Sequence, residues 1–316
     1  MSEAAELEFR NFSATDADAL LSLRNHFQPA DDPLEVWRQR DSSSGQSKQV
    51  FQTARLERQI VGFVRVVESS AGVLNLNLAV QSGLRGQGIG SRLWEYLRVQ
   101  AQSFPAQRWQ TSLRNPSQIT SRFLEQRGFA VRERSIYSHL SLTAPVNLDL
   151  IPQLERQGYL FCTLQSAGDT SANRKKLYAL VREAVMDDPG FEGEFETLEE
   201  FSRMADAWYW NEAETRYLAI HGDNWVALSG LHPKPDQPFI DSSLTGVTKT
   251  HRGRGLAQAV KRAAIADARH RGYTEIRTNN DSRNARMLAI NRKLGFEPVS
   301  EFVWFERENV CWTGSS

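Results

Sequence analysis

The chain has 316 residues, 40% hydrophobic and 24% charged, which suits a soluble globular protein with room for two ordinary domains. Its formal net charge is zero, so no global attraction to nucleic acid or to an anionic membrane is expected. No apolar run approaches the roughly 20 residues needed to span a bilayer, and the acidic, polar stretch from Met1 to Arg10 does not read as a secretory signal.

In chain order, Leu7 to Phe12 alternates as a strand, and an Asp/Thr-rich cap, Ser13 to Asp18, opens a helix carrying Leu20, Leu21 and Leu23. Strands follow at Val50–Leu56 and Ile60–Val67, joined by the charged turn Glu57-Arg58-Gln59, and a third runs from Val73 to Val80. An Arg/Gly loop comes next, Arg85-Gly86-Gln87-Gly88-Ile89-Gly90, and the helix beyond it carries Ile89, Leu93 and Leu97 on one face. A strand Trp109–Leu113, a helix near Ser117–Arg127 and two closing strands to about Leu142 complete the unit. Thr143 to Val146 reads as its end, and residues 147–157 as a polar helical connector.

The order then repeats: strand Tyr159–Leu164, helix Ala172–Val185, and a break at Asp187-Asp188-Pro189-Gly190. An aromatic and acidic stretch leads from Phe191 to Trp210. Strands Tyr217–His221 and Trp225–Leu231 flank the turn Gly222-Asp223-Asn224. Strand Ile240–Val247 enters a second loop, Arg252-Gly253-Arg254-Gly255-Leu256-Ala257. A helix, strand Glu275–Thr278, helix Arg283–Leu294 and closing strands follow. The two loops lie 167 residues apart, and so do Val80 and Val247 and the pairs Gly128-Phe129 and Gly295-Phe296. A gapless match over such a block indicates an internal duplication. Interleaved strands and helices predict an α/β class with a mixed α+β sheet flanked by helices in each of two domains, 1–146 and 147–316.

Glycines between a strand and a helix let the backbone turn tightly and approach a ligand. The first helical amides lack intrahelical acceptors, and the helix dipole there favours negative charge, so each loop suits a phosphate aided by its Arg. A P-loop would need a Lys-Ser/Thr pair that neither loop has, and the Rossmann glycine spacing is not met. Cys162 and Cys311 have apolar or aromatic neighbours and read as core thiols. They are too few for a structural zinc, no metal is expected, and a reducing cytoplasmic setting fits.

The spacing Arg-x-x-Gly-x-Gly/Ala after a strand ending in Val resembles motif A of the GCN5-related N-acetyltransferase (GNAT) superfamily. In the second unit the segments Thr245-Gly246-Val247, His251 to Ala257 and Asn284 to Phe296 all look like that family. In the first, the loop, Gly62-Phe63 and Arg127-Gly128-Phe129 do. The resemblance covers nearly the whole chain as two tandem copies. It implies binding of acetyl-CoA or another acyl-CoA, with pyrophosphate on the amides after Arg85 and Arg252 and the pantetheine arm along strands ending at Val80 and Val247, where neighbours splay apart. The cofactor contacts it implies are Val80, Arg85, Gly86, Gln87, Gly88, Ile89 and Gly90 in the first copy. In the second they are Val247, Arg252, Gly253, Arg254, Gly255, Leu256, Ala257 and Asn284. It further implies acyl transfer to an amine-bearing acceptor by direct attack.

Direct attack requires the amine to lose a proton and the thiolate to be stabilised. The positions that carry these roles in many relatives hold Asp241 and Asn291 here, and by the 167 offset Leu74 and Leu124 in the first copy. The Asn284 position holds Ser117 there. Asp241 also reads as a solvated strand-start carboxylate, and Asn291, which cannot donate a proton as Tyr does, as a helix-face residue bonding nearby backbone. The expectation is an active second copy beside a degenerate first copy, as a monomer with pseudo-dimeric tandem domains; the competing reading is a non-catalytic acyl-CoA sensor or scaffold. Trp208, Tyr209 and Trp210 read as packing or as an acceptor-cleft wall, the acidic run Glu192 to Glu200 as a solvated face or cleft rim, and His251 as an exposed residue without a catalytic role.

Overall fold

The computed structural model describes residues 6–16, 19–20, 23, 49–70, 72–104, 106–191 and 193–308. The first half forms β1 (Glu8–Asn11), β2 (Gln49–Leu56), β3 (Gln59–Ser70), β4 (Val73–Val80), α1 (Ile89–Ala101), β5 (Arg108–Arg114), α2 (Gln118–Glu125) and β6 (Ala130–Ser141). The second forms α3 (Leu150–Glu155), β7 (Tyr159–Thr163), α4 (Ser171–Met186), α5 (Leu198–Ala205), β8 (Arg216–His221), β9 (Asn224–Pro233), β10 (Phe239–Val247), α6 (Leu256–His270), β11 (Glu275–Asp281), α7 (Ala285–Lys293) and β12 (Glu297–Glu308). The mixed α/β architecture is as expected, save that one long strand, not two, closes each half. Leu20 and Leu23 are buried, whereas Leu21 and Cys311 lie outside the described residues. Among the described residues no helix is long and apolar enough to cross a membrane.

Two compact units result, Met1–Arg134 with Glu301–Ser316, and Ser135–Ser300. In the first, β1 to β4 are antiparallel neighbours, and β4 and β5 run parallel because the loop and α1 carry the chain across between them. The turn between β2 and β3 places Glu57 and Arg58 at φ 48° and 74°, the handedness that a tight hairpin demands. The apolar stripe of α1, Ile89, Leu93, Trp94, Leu97 and Ala101, is buried with Phe63, Leu74 and Trp109 in one core. In the second unit the sheet runs β7, β8, β9, β10, β11, with β10 and β11 again parallel. Its two faces are covered differently. Ile240, Ile276, Ile265 and Phe296 pack on the α6 side, and Leu218, Leu228, Leu177 and Phe201 on the α4 and α5 side.

The closing strands are exchanged. Residues Phe302–Glu308 of β12 pair antiparallel with Arg108–Arg114 of β5 in the first unit. Residues Ser135–Ser141 of β6 pair with Glu275–Asp281 of β11 in the second. Each unit therefore takes its last strand from the other half of the sequence, and the first is discontinuous along the chain while the second is the single stretch Ser135–Ser300.

Candidate active site

Both Arg/Gly loops adopt one geometry. After β4 a single turn, Ser82–Leu84, leads to extended Arg85, then Gly86 at φ 79° and Gly88 at φ 81°. After β10 the turn is Lys249–His251, Arg252 is extended, and Gly253 and Gly255 lie at φ 77° and 86°. These left-handed positions are why glycine stands there. Each Arg folds back on its strand: Arg85 Nε donates to the Val80 carbonyl at 3.1 Å and Arg252 Nε to that of Val247 at 3.0 Å. Among the described residues no side chain caps α1 or α6, so their first amides are open to an anion.

The strand leading into each loop parts from its parallel neighbour. β4 and β5 pair only from Val73↔Arg108 to Asn75↔Gln110, and β10 and β11 only from Phe239↔Glu275 to Asp241↔Arg277. In the first unit the fork widens into a cleft of about 540 Å³ bounded by Val80, Arg85, Gly86 and Gly88 on one side and by Arg114, Ser117 and Phe123 on the other. A Cβ on Gly90 would meet Phe123 and Val80 at ordinary contact distances of 3.6–3.8 Å, consistent with Ala257 at the matching position. That volume, an uncapped helix and an Arg beside it fit an acyl-CoA.

The second loop is held by an acidic segment. Asp187 pairs with Arg252 Nη1 at 3.0 Å, Glu183 accepts from the Lys249 amide at 2.5 Å, and Asp188 accepts from Asn284 Nδ2 at 3.3 Å. Asn284 caps α7, accepting from the Met287 amide at 3.1 Å, and Ser117 does the same for α2 from Thr120 at 3.2 Å. Arg254 reaches the Tyr159 hydroxyl at 3.3 Å. His251 is half-buried rather than exposed; its Nδ1 lies 3.2 and 3.0 Å from the Thr248 and Thr250 hydroxyls, and burial pushes its pKa down. Cys162 is a half-buried free thiol whose pKa burial pushes up.

The units differ at the fork. β10 carries a bulge: its pairing with β9 shifts by one residue between Ser242 and Thr245. Opposite lies Gly230, where a Cβ would collide with the Ser243 hydroxyl. β4 pairs with β3 without a shift from Val80 to Leu74. The extra residue moves the correspondence. By position at the fork, Asp241 matches Asn75, not the buried Leu74 that a uniform offset indicates. The first unit is therefore not apolar at this point; Asn75 accepts from Gln110 Nε2 at 2.7 Å.

Asp241 is half-exposed and pairs with Lys234 at 3.2 Å. Directly across on β9 stands His232, whose Nδ1 lies 2.6 Å from the Glu212 carboxylate. An ionised carboxylate only accepts, so Nδ1 carries the proton, and in the neutral ring Nε2 is the nitrogen with the lone pair. Glu212 also bonds the buried Arg216 guanidinium, and the Trp208 ring lies over His232 at 6.5 Å. On this same face a cleft of about 400 Å³ runs from the bulge residues Ser243 and Leu244 along Phe191, Phe195, Phe201 and Tyr209, with Glu196 and a 62% exposed Trp208 also lining it. Sequence reasoning missed His232 and Glu212. They lie 20 positions apart, and only the strand register sets His232 beside Asp241. Asn291 is 3% exposed and donates Nδ2 to Asn280 Oδ1 at 2.7 Å, a side chain rather than backbone partner.

Two family descriptions match the chain in tandem, "Acetyltransferase (GNAT) domain" over residues 47–131 and "Acetyltransferase (GNAT) family" over 180–296. The chain belongs to the GNAT family. Among solved structures, this tandem GNAT chain is similar in fold to a GCN5-related N-acetyltransferase from Sphaerobacter thermophilus (TM-score 0.69, 20% identity, 96% of this chain and 95% of that one). It is also similar to a tandem GNAT protein from the clavulanic acid biosynthesis pathway (TM-score 0.62, 18% identity, 98% and 100% covered). Among curated proteins, it is 29% identical to N-acetyltransferase 8F1 of Rattus norvegicus over 97 residues. That match spans 27% of this chain and 44% of that protein, so less than half of the relative's length is represented.

Proposed function

We propose that this GNAT chain is an acyl-CoA-dependent N-acyltransferase whose second unit transfers acetyl from acetyl-CoA to a primary amine by direct attack, while its first unit binds acyl-CoA without turning it over. One observation carries the reading: both units have the loop and the fork, but among the described residues only the second has a bulge in the loop-entering strand itself, with Asp241 and His232 beside it. The donor slot opens on the α6 and α7 face, as its counterpart does between α1 and α2. The aromatic cleft opens on the α4 and α5 face and supports an acceptor whose amine is borne on an apolar body, with Glu196 favouring an ammonium. The amine must lose a proton before or as it attacks. His232, oriented by Glu212, accepts it at Nε2, and Asp241 favours the imidazolium that forms.

Calorimetric titration of the purified chain with acetyl-CoA, with a screen of amines for CoA release, tests this. Two binding sites are expected, one removed by Arg85→Glu and one by Arg252→Glu, with transfer lost only in Arg252→Glu. Binding at both sites with no CoA release for any amine would establish the sensor or scaffold reading instead.

A further inference from the structure

Beneath the fork of the second unit sits a buried charge that the fold does not require. In the first unit the equivalent place is a small apolar chamber of about 70 Å³ walled by Leu76, Trp94, Leu113, Leu124 and Phe129. It shares Leu78, Leu113 and Phe123 with the donor cleft, so it is the inner end of that slot. The matching residues of the second unit, allowing for the bulge, are Ser242, Lys261, Asn280, Asn291 and Phe296. Four of the five are polar.

Lys261 projects from α6, is 3% exposed, and donates from Nζ to the Ser242 hydroxyl at 3.2 Å. The Phe296 ring lies 5.2 Å away. Among the described residues it has no carboxylate partner, and burial alone lowers its pKa to about 8. Ser242 is the first residue past the last β10–β11 pair, so this ammonium is anchored where the slot opens. The groups on the same face are Ser242 from β10, Thr278 and Asn280 from β11 and Asn291 from α7, none of which titrates near neutral pH. Among the described residues the buried Oδ1 of Asn291 has no partner. An unpaired buried ammonium is costly, and a well-packed apolar side chain such as Trp94 is the stabilising choice.

We propose that Lys261 is the proton source for the departing thiolate of the acyl donor, positioned by Ser242. The proposal rests on the transferase reading. As the C–N bond forms, the C–S bond breaks and its electron pair goes to sulfur. Sulfur takes a proton from Nζ, the amine's proton goes to His232, and both side chains re-equilibrate with solvent. Asp241 and Ser242, consecutive on a strand, face opposite sides of the sheet, so the base serves the acceptor side and the acid the donor side of one fork.

The test is Lys261→Met, read four ways. Turnover should fall 10²–10³-fold with calorimetric acetyl-CoA affinity within threefold of wild type. The wild type should lose kcat above about pH 8, and the variant should not. The thiol of bound CoA, followed by ultraviolet thiolate absorbance, should titrate higher in the variant. The melting temperature should rise, which also answers whether the variant folds. Turnover within threefold of wild type, or an unmoved thiol titration, overturns the assignment. Absence of transfer in the wild type would instead overturn the transferase reading, and the thiol titration would still report on Lys261.

Discussion

The two units share a loop and a fork and differ in the side chains around them. Each has a strand that parts from its neighbour, an Arg folded onto the carbonyl of a terminal Val, and two left-handed glycines opening an uncapped helix. These parts are backbone geometry, which a copy retains so long as a few glycines survive. What separates the copies is side chains: Asp241, His232 and Lys261 around a bulged strand in one, and Asn75, Leu76 and Trp94 around a regular strand in the other. On the proposed reading, recognition of the donor and chemistry upon it are separable properties of this fold.

The comparison can be broken hardest at the buried lysine. Its pKa is about 8 in the folded state and 10.5 when exposed, so the unfolded chain binds more protons between those values and stability rises as pH climbs through that window. Below pH 8 the full penalty is present. Lys261→Met should thus be more stable than wild type by on the order of 3 kcal/mol at pH 7, with the gap closing from pH 8 to 10.5 in urea titrations. A gap that does not change with pH would show that the group is not buried as a cation.

The bulge is the next point of attack. Gly230→Val puts side-chain atoms where the Ser243 hydroxyl and the Arg216 side chain lie, so the bulge must flatten or shift. About 10²-fold lower turnover is expected, with a modest stability loss of roughly 1–3 kcal/mol and unchanged donor binding at the first unit. Full activity would mean that the bulge is incidental.

The mildest contrast lies at the loops. Asp187 holds Arg252 in a half-exposed pair, worth about 0.2–1 kcal/mol. Asp187→Asn should release the guanidinium and tighten acetyl-CoA at the second site by up to about fivefold. The same titration should show the first site unmoved. Weaker binding would mean that Asp187 orients Arg252 for the ligand instead of competing with it.

Much of this was legible in the chain. The loops and the helices they open follow from glycine positions and from the 3.6-residue stripe of Ile89, Leu93 and Leu97, and the mixed sheet from the interleaving of strands with helices. The bulge was not, because every landmark that sets the offset of 167, from Val247 onward, lies after it, and the extra residue of β10 is visible only against β9. Lys261 has no local signature either, since a lysine inside an amphipathic helix reads as solvated until the packing partner is known. His232 and Glu212 needed strand register. The exchange of closing strands was hidden for a different reason: β6 and β12 occupy equivalent places in the repeat, so nothing in their patterns distinguishes one sheet from the other.

That exchange bears on how the protein is made. On a ribosome the first unit emerges with its sheet unfinished, because β12 is synthesised long after β5, and β5 must wait for Phe302–Glu308. The second unit, by contrast, has its borrowed strand in hand from the start. The unit translated first is completed last, and a gene cut after residue 146 would leave an open strand edge on the N-terminal product and a missing strand in the C-terminal one.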